Sequence, residues 1–104
     1  MEFSITQRGE FTLYVTATGR MDLDSAVKYG TSVKDAIYDA DETITELILD
    51  FSGVTFISSF GLKVVLELYK HMKEQNNGTL KLENVPEQIK NSFKMVGFDK
   101  FLTF

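Results

Sequence analysis

Cysteine is absent from the 104 residues of the chain, and proline occurs once. Without a thiol there is no disulfide framework, no cysteine-ligated zinc and no sulfur nucleophile, which excludes a redox role and is compatible with a reducing compartment. Basic surplus is lacking too: the formal charge is −4, and acidic and basic residues alternate along the chain. No basic stripe exists to neutralise phosphates or to dock on anionic lipid, so neither nucleic acid nor a membrane is an expected partner. Long apolar runs are missing, and the start, Met1-Glu2-Phe3-Ser4, has neither the basic nor the apolar stretch of an export signal. A cytoplasmic location is therefore expected. The sequence carries no His-Ser-Asp set, no glycine-rich phosphate loop and no metal-ligand cluster, so no enzymatic activity, cofactor or metal is expected. Repeats and low-complexity tracts do not occur, and the length suits one domain, expected over residues 1–104. In so small a body a binding surface is the expected functional unit.

What is present is an alternation of strand and helix patterns. Phe11, Leu13, Val15 and Ala17 alternate with Thr12, Tyr14, Thr16 and Thr18, a period of two that buries one face of a strand. Phe3 and Ile5 begin a similar strand, and Arg8-Gly9-Glu10 predicts a turn that folds the two into an antiparallel hairpin, with Gly19 closing the second strand. From Asp24 to Asp39, Ala26, Val27, Gly30, Val33, Ala36 and Ile37 follow helical spacing, with Asp22 or Asp24 as cap. Leu47-Ile48-Leu49 within Glu46–Asp50 is apolar on both faces, as in a central parallel strand, and Ser52-Gly53 predicts a turn after it. A second helix is predicted from Ser59 to Asn76, with Leu62, Val65, Leu66, Tyr69 and Met72 inward and Asn77-Gly78 as its stop. Leu80 and Leu82 mark a further strand. Pro86 opens a third helix carrying Ile89, Phe93 and Val96, Gly97 ends it, and Phe101–Phe104 reads as a last edge strand. The expected fold is an α/β domain with a mixed sheet of about five strands and three to four helices mainly on one face.

The most informative stretch runs from Leu49 to Leu62, where a buried strand leads to Ser58 and Ser59 at a helix start. The first turn of a helix presents unpaired N–H groups and a partial positive charge, so a phosphate added to a serine there is compatible with the fold. Either serine can equally be a cap and nothing more, a role that contributes about 1 kcal/mol. Gly61, one turn in, has no side chain and would let a partner approach the hydroxyl. Phe60 can anchor a partner or tuck against Val54 or Phe56. Phe98, Phe101 and Phe104 can form an apolar patch, though packing of an edge strand on the third helix is the simpler reading. His71 has no second histidine or cysteine to complete a site, so it reads as a solvated surface residue.

The order of these motifs resembles the STAS domain of bacterial anti-sigma factor antagonists, over essentially all of Phe3 to Phe104. A Gly-Glu-Leu-Asp-like turn into the first helix appears as Gly19-Arg20-Met21-Asp22, a Leu-Asp-Leu-like strand as Leu49-Asp50-Phe51, and Phe-x-Asp-Ser-Ser-Gly-Leu as Phe56-Ile57-Ser58-Ser59-Phe60-Gly61-Leu62. The resemblance implies phosphorylation of Ser59, with Ser58 as second choice, by a partner that is both anti-sigma factor and serine kinase of the histidine-kinase-like ATPase type. It also implies a serine phosphatase as a further partner. Asp22, Ser58, Ser59, Phe60 and Gly61 are the residues expected to face the kinase. Three positions depart from the pattern: Ser58 stands where the family has Asp, Phe60 where it has a second Ser, and Arg20 where it has an acidic residue.

The expected function is thus regulation of transcription through protein binding, switched by a phosphate that adds about −1.5 to −2 charge at the interface. Two alternatives accompany it. One keeps the fold as a scaffold or binding module without phosphorylation. The other gathers Asp22, Asp24 and Asp50 into an Mg²⁺ pocket with Asp50 as phosphoacceptor, as in a receiver domain.

Overall fold

A computed structural model describes residues 1–104. Strand β1 (Glu2–Arg8) pairs antiparallel with β2 (Thr12–Met21), which runs directly into helix α1 (Leu23–Asp39). Strand β3 (Glu46–Ile57) leads into α2 (Ser59–Gln75), then come β4 (Thr79–Glu83), α3 (Glu87–Met95) and a short 3₁₀ turn, Phe98–Lys100. The sheet has four strands in the order β1-β2-β3-β4, with β2, β3 and β4 mutually parallel. The helices gather on one face. Tyr29 of α1 and Phe93 of α3 both meet Phe51 of β3, and Val65, Leu68 and Met72 of α2 join the same 25-residue core. The opposite face carries the alternate residues of the strands, among them Thr12, Tyr14, Thr16 and Lys81, and no helix covers it.

The hairpin turn relies on Gly9 at φ 74°, a left-handed conformation that costs glycine little. Phe11, placed on the inward face by the alternation, is instead 47% exposed, because it lies in the turn before β2 begins. Gly19 does not close β2, which continues to Met21. The α1 stripe holds for Ala26, Gly30, Val33 and Ile37, with Tyr29 added; Val27 points outward.

The predicted turn at Ser52-Gly53 is absent, and β3 continues through it for 12 residues. Thr16 and Thr18 on β2 face Asp50 and Gly53 on β3, so the longer strand carries an extra residue, and a second irregularity follows between Gly19 and Arg20. Such bulges re-aim the side chains that follow. Leu47, Leu49 and Phe51 point to the core before the bulge, and Val54 and Ile57 after it. Gly53 is required there, since a Cβ would lie 2.5 Å from Cγ2 of Thr18.

In α2 the buried face comprises Gly61, Val64, Val65, Leu68 and Met72, while Leu62, Leu66 and Tyr69 are half-buried. The inward stripe is therefore rotated from the predicted one, toward α1, where Gly30 leaves room for Val64. Pro86 caps α3 from just outside it, and Val96 is exposed beyond its last turn.

The fifth strand expected at Phe101–Phe104 does not form. Gly97 (φ 80°) turns the chain, the Leu102 N–H donates to the Phe98 carbonyl at 2.8 Å, and Phe98 stacks on Phe93 with ring centroids 5.8 Å apart. Phe104 meets the same ring. Phe98 and Phe104 thus follow the core around α3, while Phe101 packs on Tyr69 of α2 and stays 41% exposed.

Candidate functional site

The site lies where β2 and β3 end and α1 and α2 begin. Neither junction has a loop: Asp22 alone separates β2 from α1, and Ser58 alone separates β3 from α2. The Ser58 N–H donates to the Met21 carbonyl at 2.9 Å, which ties the two junctions together and sets the two caps side by side. At the first, Asp22 Oδ1 accepts from the Ser25 N–H at 3.1 Å, while Ser25 Oγ accepts from the Asp22 N–H at 3.0 Å. This is a reciprocal capping box. The Ser25 N–H and hydroxyl together hold the exposed Asp22 carboxyl below its ordinary pKa.

At the second junction the two serines divide the work. Ser58 Oγ accepts from the Gly61 N–H at 3.0 Å and caps α2. Ser59 is the first helical residue; its side chain is exposed and makes no hydrogen bond within the chain. Asp and Ser are both favoured N-caps, so Ser58 keeps the local function of an Asp at that place while removing its charge.

Gly61 is buried, and its role differs from the expected one. A Cβ there would lie 2.7 Å from Ile57 Cγ1 and 3.1 Å from Met21 Cγ and Sδ. The missing side chain therefore lets α2 settle onto the ends of β2 and β3, and it opens nothing to a partner.

Phe60 is half-buried in a groove of about 130 Å³ between α1 and α2, with Val27, Gly30 and Val64 among its neighbours in the lining. Lys63 Nζ lies 5.7 Å from the Phe60 ring centroid. Leu23 and Val27, on the outward side of the first turns of α1, are 56% and 48% exposed. On the uncovered side of the sheet end, the Arg20 guanidinium sits 4.2 Å over the Phe56 ring. The end of the domain thus combines an unbonded hydroxyl, two helix N-termini, a carboxylate, a guanidinium and a rim of exposed apolar side chains.

The acidic pocket of the receiver alternative is not assembled. Asp50 lies level with Thr16 on the uncovered face, far short of Asp22 along β2, and no group of acidic or histidine side chains is placed to hold a metal ion. Asp50 belongs to a different arrangement, which sequence reasoning missed. It is 6% exposed and accepts from the Tyr14 hydroxyl, from Asn84 Nδ2 at 3.1 Å and from the Ser52 N–H at 2.9 Å. Burial opposes its ionisation, but these donors outweigh that and pull its pKa below the ordinary carboxylate value. The Arg8 guanidinium lies 3.5 Å over the Tyr14 ring, so the polar chain crosses the sheet from β1 to the β4–α3 turn. The signal for it was the alternation itself, which places Tyr14 and Asp50 on the face left after the core is filled.

His71 also departs from expectation. It is half-buried against Tyr38, edge to face with centroids 5.5 Å apart, and Nε2 has no hydrogen-bond partner. Burial and then the nearby Lys34 charge lower its pKa.

A four-stranded mixed sheet with helices on one side, and strand-to-helix junctions bearing an exposed hydroxyl and an exposed carboxylate, define a small single-sheet α/β fold. The chain belongs to the STAS domain family, whose family model matches residues 3–104. The structure of the anti-sigma factor antagonist SpoIIAA in its unphosphorylated form superposes with a TM-score of 0.85 at 20% identity, covering 98% of this chain and 86% of that one. The phosphorylated form of SpoIIAA from Bacillus, described as a cell fate determinant, gives 0.76 at 20% identity, covering 98% and 89%. The murine anion transporter Slc26a9 gives 0.75 at 23% identity over 91% of this chain, but over only 15% of the transporter. At these identities the likeness is one of fold. No helix of the chain is long and apolar enough to cross a membrane.

Proposed function

We propose that the chain is an anti-sigma factor antagonist-like regulator that binds a partner serine kinase and is released when Ser59 is phosphorylated. The observation that carries this reading is the division of labour at the start of α2: Ser58 is occupied as cap, whereas the Ser59 hydroxyl is exposed and unbonded beside Asp22. The similarity to SpoIIAA in both unphosphorylated and phosphorylated forms supports it. In the reaction Ser59 Oγ attacks the γ-phosphorus of ATP held by the partner; the new O–P bond replaces the bond to the β-phosphate oxygen, ADP leaves, and the hydroxyl proton passes to a base of the partner. This chain supplies the acceptor and its positioning, not catalysis. A phosphatase reverses the state, and the site of action is the cytoplasm.

Asp22, Ser58, Phe60 and the apolar rim of Leu23 and Val27 form the contact surface. Phosphate adds about −1.5 to −2 charge. Against an acidic partner surface such repulsion costs several kcal/mol, whereas the favourable helix-dipole contribution is only about 0.3–1 kcal/mol. Release by about 100-fold follows, since each 1.4 kcal/mol is tenfold in affinity.

The test is binding of the cognate kinase to wild type, Ser59→Ala and Ser59→Asp, with phosphosite mapping by mass spectrometry. We expect Ser59→Ala to bind and resist modification, and Ser59→Asp to bind about 100-fold more weakly. Equal binding of Ser59→Asp and wild type would end the switch. A second reading, a STAS module that binds without being phosphorylated, is favoured by the uncharged Ser58 at the position of the family Asp and by the transporter neighbour. Absence of phosphate on both Ser58 and Ser59 in protein isolated from its own cell, across growth conditions, would select it.

A further inference from the structure

We propose that the outer edge of β1 pairs with the same edge of a second copy of the chain, antiparallel about Ile5, to give a symmetric dimer with one continuous sheet. This proposal does not rest on Ser59. Strand β1 bonds to β2 only, in a seven-residue register without a bulge, and no loop hydrogen bond reaches its other side. An open edge of this kind is a row of backbone donors and acceptors that another strand can use. The devices that keep edges apart are missing from it: there is no proline, no bulge and no charge at its centre, where Ser4, Ile5 and Thr6 stand. Phe3 and Ile5 are only half-buried on the helix side, where Phe3 meets Tyr29 edge to face with centroids 5.4 Å apart. A strand laid alongside covers what they leave open.

The charges of β1 select a second copy as that strand. Only Glu2 and Arg8 are charged in it, and they stand at its two ends on the uncovered face of the sheet. Neither has an ion-pair partner, since the molecule's salt bridge joins Lys34 to Glu67 at 3.7 Å; Arg8 is laid over the Tyr14 ring instead. When all of β1 pairs antiparallel with all of β1 in a copy, Ile5 faces Ile5, Ser4 faces Thr6, and each Glu2 faces Arg8 of the other chain. Directly opposed unlike charges stabilise neighbouring strands, and here two such pairs form at once. The other open edge offers no equal. Full antiparallel overlap of β4 with its copy sets Lys81 against itself, and no register of β1 on β4 places Glu2 opposite Lys81 and Arg8 opposite Glu83 together. The β1 pairing is closed by its two-fold axis, so no third copy adds there. Because β1 and β2 run in opposite directions, the Ser59 ends of the two copies point away from each other and stay free.

The test is sedimentation velocity of the whole chain across a concentration series. The expected result is a monomer–dimer equilibrium in which Glu2→Arg and Arg8→Glu, each of which creates two like-charge pairs, weaken association about tenfold. Mixing the two single variants should restore it as a heterodimer, which also shows that each variant is folded, and the double variant carrying both changes should dimerise like wild type. Hydrogen exchange should slow in β1, and not in β4, as concentration rises. Ser59→Asp should leave association unchanged, which separates this edge from the kinase-facing surface. The proposal is overturned if the chain stays monomeric, if reversing either charge leaves the dimer as tight, if mixing the single variants recovers nothing, if protection falls on another strand, or if Ser59→Asp weakens the dimer. Growth into open-ended oligomers, weakened by Lys81→Glu, would assign the contact to head-to-tail pairing of β1 with β4 and overturn it equally.

Discussion

Ser58 and Ser59 are adjacent, chemically identical and physically unlike. Removing the Ser58 hydroxyl leaves the Gly61 N–H without its cap, at a cost of about 1 kcal/mol. Removing the Ser59 hydroxyl breaks no bond, and an exposed change of this kind stays within about 0.5 kcal/mol. Urea unfolding of Ser58→Ala and Ser59→Ala should therefore separate by about 1 kcal/mol, and equal stabilities would contradict the assignment of Ser58 as the cap. Gly61 is distinguished from both. Its Cβ would press on Ile57 and Met21, and overpacking of this kind costs about 1–3 kcal/mol. Gly61→Ala should lower stability by that amount in the same assay. An unchanged midpoint would return Gly61 to the surface role that its smallness suggests.

At the scale of elements, β3 explains both what the sequence conveys and what it conceals. The run Leu47-Ile48-Leu49 is legible as a central strand because apolar residues on successive positions leave little else for a short segment to be. Its continuation to Ile57 is not legible, since two irregularities against β2 break the period of two that would have revealed it. Ser52-Gly53 reads as a turn because glycine and serine favour turns. Here the glycine answers a crowding by Thr18 from a neighbouring strand, and the Ser52 N–H answers Asp50. The helices are easier to read, because their caps and stripes are local. Asp22 was identifiable as one of two candidate caps, with Asp24, and Ser59 as lying at the start of α2, without any long-range contact. The phase of the α2 stripe was not, because it depends on Gly30 of α1. The Phe101–Phe104 segment shows the same limit: its alternation is compatible with a strand, and only the position of Phe93 diverts it.

The whole molecule has a polar chain across its uncovered face, and that chain links its stability to pH at both extremes. Asp50 and Asp22 titrate in the folded chain below the ordinary 3.8, so each contributes stability that is complete above that value and is lost as pH falls through the lower, folded value. Tyr14 moves the other way, raised above 10.0 chiefly by its hydrogen bond to Asp50. Its contribution is complete below 10 and is lost as pH rises through the higher, folded value. Thermal unfolding followed against pH should show a plateau that falls at both ends. Tyr14→Phe should flatten the alkaline fall, and Asp50→Asn should shift both, because the two effects share one bond. A variant profile that parallels wild type on both sides would remove that pair from the account.

The absence of a loop between Ile57 and the first turn of α2 bears on how a phosphate at Ser59, attached as proposed, would be sensed. With a strand held to β2 as far as Ile57 feeding straight into a helix seated on the core, the serine has no hinge to ride on and no lid to open. On the proposed reading, a phosphate on Ser59 would be sensed where it is attached, as a change of local charge rather than a change of shape.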